Sequence, residues 1–243
     1  MYLWGMFKEL DKITEVAGYL WEKGWAEYNG GNISVNLTDS LSSRFKTRDA
    51  LSVRRELPAV LENLADNVFY VTGSGKRMRD VAKNPWDNGV LIRISSDGRF
   101  YEIIYREEIA PTSELASHLY MHNYLRGLGR GCKVVLHTHP IELVALTHID
   151  KWLDSDALTE MLWSMIPECK IVVTKGVGVV PFHFPGTVEL AEATVGQLRD
   201  HDVVIWEKHG VLAVGDDVVT CFDVIDTLNK AAQIYVCARA AGL

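Results

Sequence analysis

The stretch from Val134 to Pro140, VVLHTHP, constrains this chain more than any other. Residues 133–136 have the character of a short buried strand, and His137 and His139 follow at its end with one threonine between them. In an extended backbone, residues i and i+2 point to the same face. Two imidazoles therefore stand side by side where a strand gives way to a helix over residues 141–148. This arrangement suits Zn²⁺ but supplies half a site, because a catalytic zinc takes three protein ligands and leaves one position open. His209 can complete the set. It sits in Glu207-Lys208-His209-Gly210, a sharp bend between the buried runs 203–206 and 211–214, beside a glycine that lets another group approach closely.

The remaining chain surrounds these residues with alternating elements. Leu3, Phe7, Leu10, Ile13, Ala17, Leu20 and Trp21 recur at three- and four-residue steps, predicting an amphipathic helix over about residues 5–28. It runs into Asn29-Gly30-Gly31-Asn32, followed by a strand at 33–37. Such a loop most commonly serves as a glycine C-cap and turn. Its exposed N–H groups can also cradle a phosphate. Residues 38–66 are polar and weakly patterned, an excursion, and a strand at 67–72 then enters a second glycine loop, Gly73-Ser74-Gly75-Lys76. This is not a Walker motif, which needs GxxxxGK followed by Ser or Thr.

Residues 90–94 and 99–105 flank the turn Ser95-Ser96-Asp97-Gly98 as a hairpin, so the sheet is at least partly antiparallel. Pro111-Thr112-Ser113-Glu114 opens a helix to about residue 128, where the hydroxyls serve either as caps or as partners of a phosphate at the helix N-terminus. Glu114, His118 and His122 fall on one face of that helix, but a packed or surface imidazole is the commoner role for such histidines, and they are not taken as a metal stripe. Further helices are predicted at 157–165, 187–200 and 217–241, with a strand at 170–174.

Composition excludes several classes. The 243 residues carry a net charge of −7 and no basic stripe with interleaved aromatics, which argues against nucleic acid as partner. No apolar run approaches membrane-spanning length, and charges at Lys8, Glu9, Asp11 and Lys12 break up the N-terminal segment. The four cysteines, Cys132, Cys169, Cys221 and Cys237, are far apart and contain no CxxC pair, so a disulfide framework is not expected and the thiols read as reduced and mostly buried. No linker divides the chain, so one domain over 1–243 and a cytoplasmic location are expected.

Taken in order, NGGN at 29–32, TGSG at 72–75, PTSEL at 111–115, HTHP at 137–140 and HG at 209–210 resemble the class II aldolase and ribulose-phosphate epimerase family, over nearly the whole chain. Within it, GWAEYNGGN, PECKIVV, VPFHFPGTVELAEAT and the long excursion look like one aldolase branch, distinct from the shorter-linked fuculose-phosphate aldolases. Members extend beyond the final helix, whereas this chain stops at Leu243.

The resemblance implies a single-domain α/β/α sandwich with a central, mainly antiparallel sheet, assembled as a C4 homotetramer with the site near a subunit interface. It implies Zn²⁺ on His137, His139 and His209, with Glu114 beside it as general acid/base. Asn29, Gly31, Asn32, Ser74, Gly75, Thr112 and Ser113 would contact phosphate or dihydroxyacetone, and Glu168 would reach a neighbouring subunit's site. The implied reaction cleaves a phosphorylated ketose to dihydroxyacetone phosphate and an aldehyde, with Zn²⁺ as Lewis acid for the enediolate left by C–C cleavage. A fuculose-phosphate aldolase, a pentulose-phosphate 4-epimerase, a non-catalytic zinc scaffold and a metal-independent phosphometabolite binder are the alternatives.

Overall fold

The computed structural model describes residues 4–41, 46–47 and 49–243, with side chains from residue 8 onward. Leu3, the Phe7 side chain and parts of the 38–66 excursion therefore lie outside the described residues. The first helix, α1 (Trp4–Glu22), buries Leu10, Ile13, Ala17 and Leu20 as the periodicity requires. Trp21, placed on the same stripe, is exposed instead beneath the guanidinium of Arg79, 5.0 Å from its ring. The helix also stops six residues before the expected end. Gly24 takes φ +71, and the Trp25 N–H reaches back to the Leu20 carbonyl, closing a Schellman cap that consumes the terminal carbonyls.

Among the described residues, nine strands form one sheet in the order β2-β5-β4-β3-β1-β6-β9-β8-β7. They are β1 (Asn32–Asn36), β2 (Arg55–Glu56), β3 (Val68–Thr72), β4 (Gly89–Ile94), β5 (Phe100–Tyr105), β6 (Val134–Thr138), β7 (Gly178–Val180), β8 (Val203–Trp206) and β9 (Gly210–Gly215). All neighbours pair antiparallel except β7 with β8. The remaining helices are α2 (Met78–Val81), α3 (Leu115–Gly127), α4 (Ile141–Leu146), α5 (Ser155–Met165), α6 (Pro167–Val172), α7 (Val188–Gln197) and α8 (Val218–Ala240). One face of the sheet packs against α1, α4, α5 and α8 in a core that includes Leu136, Leu143, Leu162 and Ile225; α3 and α7 cover the other through Leu119, Met121 and Leu190. The mainly antiparallel α/β sandwich is thus observed. None of the described helices is long and apolar enough to cross a membrane.

One expectation about an element fails. Residues 170–174, read as a strand, belong mostly to α6. Pro167 at the first helical position presets φ for a helix, and Ile171 and Val172 point outward, leaving Cys169 as the buried residue of that helix. An apolar run suggests a strand only if it is buried, and of Ile171, Val172 and Val173 only the last is. The thiols are free, but only Cys169 and Cys221 are buried; Cys132 is half-buried and Cys237 exposed.

Topology then concentrates the loops. Because β1 runs antiparallel to both β3 and β6, its first residue lies beside their last ones, with Asn32 opposite His137. Because β9 runs antiparallel to β6, Val211 lies opposite Thr138. The NGGN loop, the TGSG loop, the HTHP segment and the turn bearing His209 consequently emerge at one end of the central strands. A bridge between Gly73 and Pro111, and the Thr112 N–H donated to the Thr72 carbonyl at 2.9 Å, bring the start of α3 to the same place.

Candidate metal centre and active site

His137 lies within β6, His139 one residue beyond it, and His209 in the β8–β9 turn. The turn is built for close approach. Lys208 adopts φ +56 and donates its N–H to Thr147 Oγ1 at 2.8 Å, while a Cβ on Gly210 would lie 2.6 Å from the Thr138 carbonyl and 2.7 Å from the His137 ring. Only glycine fits there. The three imidazoles present ligand atoms that all lie within 4.8 Å of one another.

Their hydrogen bonds leave the right nitrogens available. His137 Nδ1 donates to the Val211 carbonyl at 3.1 Å, and His139 Nδ1 donates to Glu27 Oε1 at 2.7 Å. Both Nε2 lone pairs are then directed at each other, 3.1 Å apart. Two acceptors that close are stable when a cation sits between them, and a tetrahedral ion with metal–nitrogen bonds of about 2.0–2.1 Å sets its ligands roughly 3.3 Å apart. Burial holds His137 well below its ordinary pKa and lowers His209 to about 4, with His139 adding to both shifts. Neutral imidazole is the form that ligates a metal, and a nitrogen-only donor set suits a borderline divalent ion such as zinc. His209 Nδ1 is buried without a hydrogen-bond partner among the described residues, and its ring stacks on Trp206, with 5.1 Å between centroids.

Glu114 occupies the N-cap of α3, buried, with Oε2 3.8 Å from His137 Nε2 and Oε1 3.6 Å from His209 Nε2. Desolvation raises its pKa, opposed by the Asn32 amide, which donates to Oε2 at 2.8 Å, and by His139. A buried carboxyl whose neutral form is favoured in this way is suited to take up and return a proton.

The seven residues expected to contact phosphate or dihydroxyacetone all line the same cleft of about 280 Å³ as the histidines and Glu114. Gly31 is locked there at φ +75; a Cβ would meet the His137 carbonyl at 2.9 Å. His118 and His122, by contrast, turn away from the metal group and contact Ser34 Oγ at 2.7 and 2.9 Å. Glu168 is exposed at the start of α6 and is not among the residues lining the cleft.

Sequence reasoning missed Glu27 and Tyr28, which also line the cleft. Tyr28 takes φ +49 and carries the Arg77 guanidinium 5.2 Å over its ring, bringing a cation to the rim. Nothing in the local spacing marks Glu27 as a partner of His139. Ser34 carried no signal either, because in the alternating strand Asn32–Asn36, NISVN, a hydroxyl is an ordinary polar position.

Three histidines and a buried carboxylate at the loop end of such a sheet form a candidate divalent-metal site with an acid/base group beside it. The family described as Class II Aldolase and Adducin N-terminal domain matches residues 11–236. The chain belongs to this family. A relative from Bacteroides thetaiotaomicron named rhamnulose-1-phosphate aldolase is 50% identical over 235 residues, covering 97% of this chain and 87% of the relative. One of the same name from Listeria welshimeri is 40% identical over 229 residues, 93% of this chain and 82% of its own. Among solved structures, a sugar-phosphate aldolase from Thermotoga maritima superposes with a TM-score of 0.84 at 32% identity, covering 98% and 97% of the two chains. An L-fuculose-1-phosphate aldolase from Thermus thermophilus shares the fold at a TM-score of 0.62 and 19% identity, covering 95% and 94%.

Proposed function

We propose that this chain is a zinc-dependent aldolase that reversibly cleaves L-rhamnulose 1-phosphate to dihydroxyacetone phosphate and L-lactaldehyde. The observation that carries this reading is the convergence of three metal-competent imidazoles, a buried carboxylate and three backbone loops in one cleft, in a chain half identical to a named rhamnulose-1-phosphate aldolase.

His137, His139 and His209 would hold the Zn²⁺, which when bound supplies Lewis-acid polarisation of the ketone and its neighbouring hydroxyl. No lysine Schiff base is then required. The loops at Asn29, Gly31, Asn32, Ser74, Gly75, Thr112 and Ser113 receive the phosphate and the dihydroxyacetone hydroxyls, using backbone N–H groups and hydroxyls in place of surface cations. In the cleavage direction the bond between C3 and C4 breaks, and its electrons remain on the dihydroxyacetone side. The aldehyde forms as the C4 hydroxyl gives its proton to solvent water, Glu114 in its acid form delivers a proton to C3, and the resulting carboxylate is reprotonated from solvent, so no proton is gained or lost overall. Condensation reverses these transfers. The raised pKa of Glu114 suits a residue that holds a proton between steps.

The chain would act as one domain and assemble as a C4 homotetramer in the cytoplasm. Glu168, exposed beside outward-facing Ile171 and Val172, would project into a neighbouring subunit's site. Mass measurement in solution checks the assembly. The metal reading is tested by stripping the protein with chelator and titrating zinc back. Activity should return linearly and saturate at one zinc per protomer, and activity surviving full chelation would refute it.

A further inference from the structure

We infer that Ser34, His118 and His122 form a buried positioning network that fixes which end of the Asn32 amide faces Glu114, and thereby holds the catalytic carboxylate in register with the cleft. The inference rests on the proposed role of Glu114. Asn32 and Ser34 lie two apart on β1 and so share the face beneath α3, where His118 and His122 lie four apart on one face of that helix. Ser34 and His118 are fully buried and His122 is 2% exposed.

The nitrogen of the Asn32 amide donates to Glu114 Oε2 at 2.8 Å, and with that contact the donors and acceptors beyond it admit one arrangement. Asn32 Oδ1 then faces His118 Nε2, which must carry the hydrogen. Burial holds His118 neutral, its pKa pushed down to about 3, so it has a single N–H and its Nδ1 can only accept. Ser34 Oγ supplies that hydrogen at 2.7 Å, and in turn accepts from His122 Nε2 at 2.9 Å.

The chain is not a proton route. The Asn32 amide interrupts it, since passing a proton through an amide requires the imidic acid. Its contribution is orientation. Without the His118 N–H, the Asn32 amide is free to turn its oxygen toward Glu114, which replaces an attraction by a repulsion next to the reacting groups. Placement errors of this kind lower turnover more than binding.

Four variants and one spectrum test this. In His118→Phe, kcat for L-rhamnulose 1-phosphate should fall about 10- to 100-fold, with KM and bound zinc changed by less than about twofold. Ser34→Ala should lower kcat in the same direction, because it releases the His118 tautomer. The double variant S34A/H118F should be no slower than H118F alone, since both act through Asn32. H118Q, which keeps an N–H directed at Asn32, should recover most of the loss even if H118F folds poorly. In ¹⁵N-histidine-labelled wild-type protein, His118 should be protonated at Nε2 and bare at Nδ1. The inference is overturned by unchanged kcat in H118F, by multiplying effects in the double variant, or by an Nδ1–H tautomer of His118. If the wild type cleaves no ketose phosphate, the proposed function fails, while the tautomer still decides whether the network is as described.

Discussion

Replacing His122 by glutamine should remove a defined part of the acid sensitivity of this fold. In the native protein, burial, reinforced by His118, lowers the His122 pKa to about 3. In the unfolded chain a histidine titrates near 6.5. Between these values the unfolded state binds a proton that the folded state refuses, so stability is intact above about pH 6.5 and declines as pH falls toward 3. Integrating the difference from about pH 7 to about pH 5 gives a loss of about 2 kcal/mol for this one histidine. The result depends chiefly on the unfolded value, because the folded group remains neutral throughout the interval. The glutamine side chain would keep an N–H for Ser34 Oγ and titrate nowhere in the range. Urea unfolding of chelated wild type and H122Q, at one protomer concentration and at both pH values, isolates the term; His118, the metal ligands and the carboxylates contribute to both proteins and cancel. The variant should lose about 2 kcal/mol less than wild type. Equal losses, to within about 0.5 kcal/mol, would show that His122 is protonated or solvated in the native state and refute the reasoning.

Three further outcomes follow from the site. Glu114→Gln should cut kcat by about 10²- to 10⁴-fold while zinc content is retained, checked by steady-state kinetics beside elemental analysis. Gly31→Ala places a Cβ 2.9 Å from the His137 carbonyl at φ +75, so it should cost at least about 1–2 kcal/mol and weaken metal binding together, read by thermal unfolding and zinc titration. Glu27→Gln exchanges the carboxylate behind His139 for an amide and should lower zinc affinity about 10- to 100-fold, measured by competition with a chelating dye.

The clustering of His137, His139 and His209 was legible in the sequence for a local reason. An HTH at a strand end leaves its histidines on one face whatever surrounds them, and His209 was marked by the glycine that its bend demands. The central strands were legible because Val, Ile and Leu there are buried on both faces, and β8 falls at the expected residues. The misreadings concern elements whose identity depends on what packs against them. The end of α1 was hidden because the apolar residues Trp25 and Ala26 continue past the Gly24 cap and are buried in the loop. Residues 170–174 have strand-like composition, but Lys170, Ile171 and Val172 face solvent from a helix started by Pro167. The short edge strands β2 and β7 carry too few residues to show a period. The placement of Glu27 against His139, 112 positions away, and of Ser34 against His118 and His122, arises from loop closure and sheet register, which no local pattern encodes.

The central claim is cleavage of one ketose phosphate by a metal-dependent site. A coupled assay for dihydroxyacetone phosphate on L-rhamnulose 1-phosphate and L-fuculose 1-phosphate, beside a 4-epimerisation assay on a pentulose 5-phosphate, each with and without chelator, tests it most directly. Release from L-rhamnulose 1-phosphate should be rapid and chelator-sensitive, and turnover of the other two much slower. Preference for a different ketose phosphate would contradict the substrate, and cleavage indifferent to the chelator would contradict the metal centre itself.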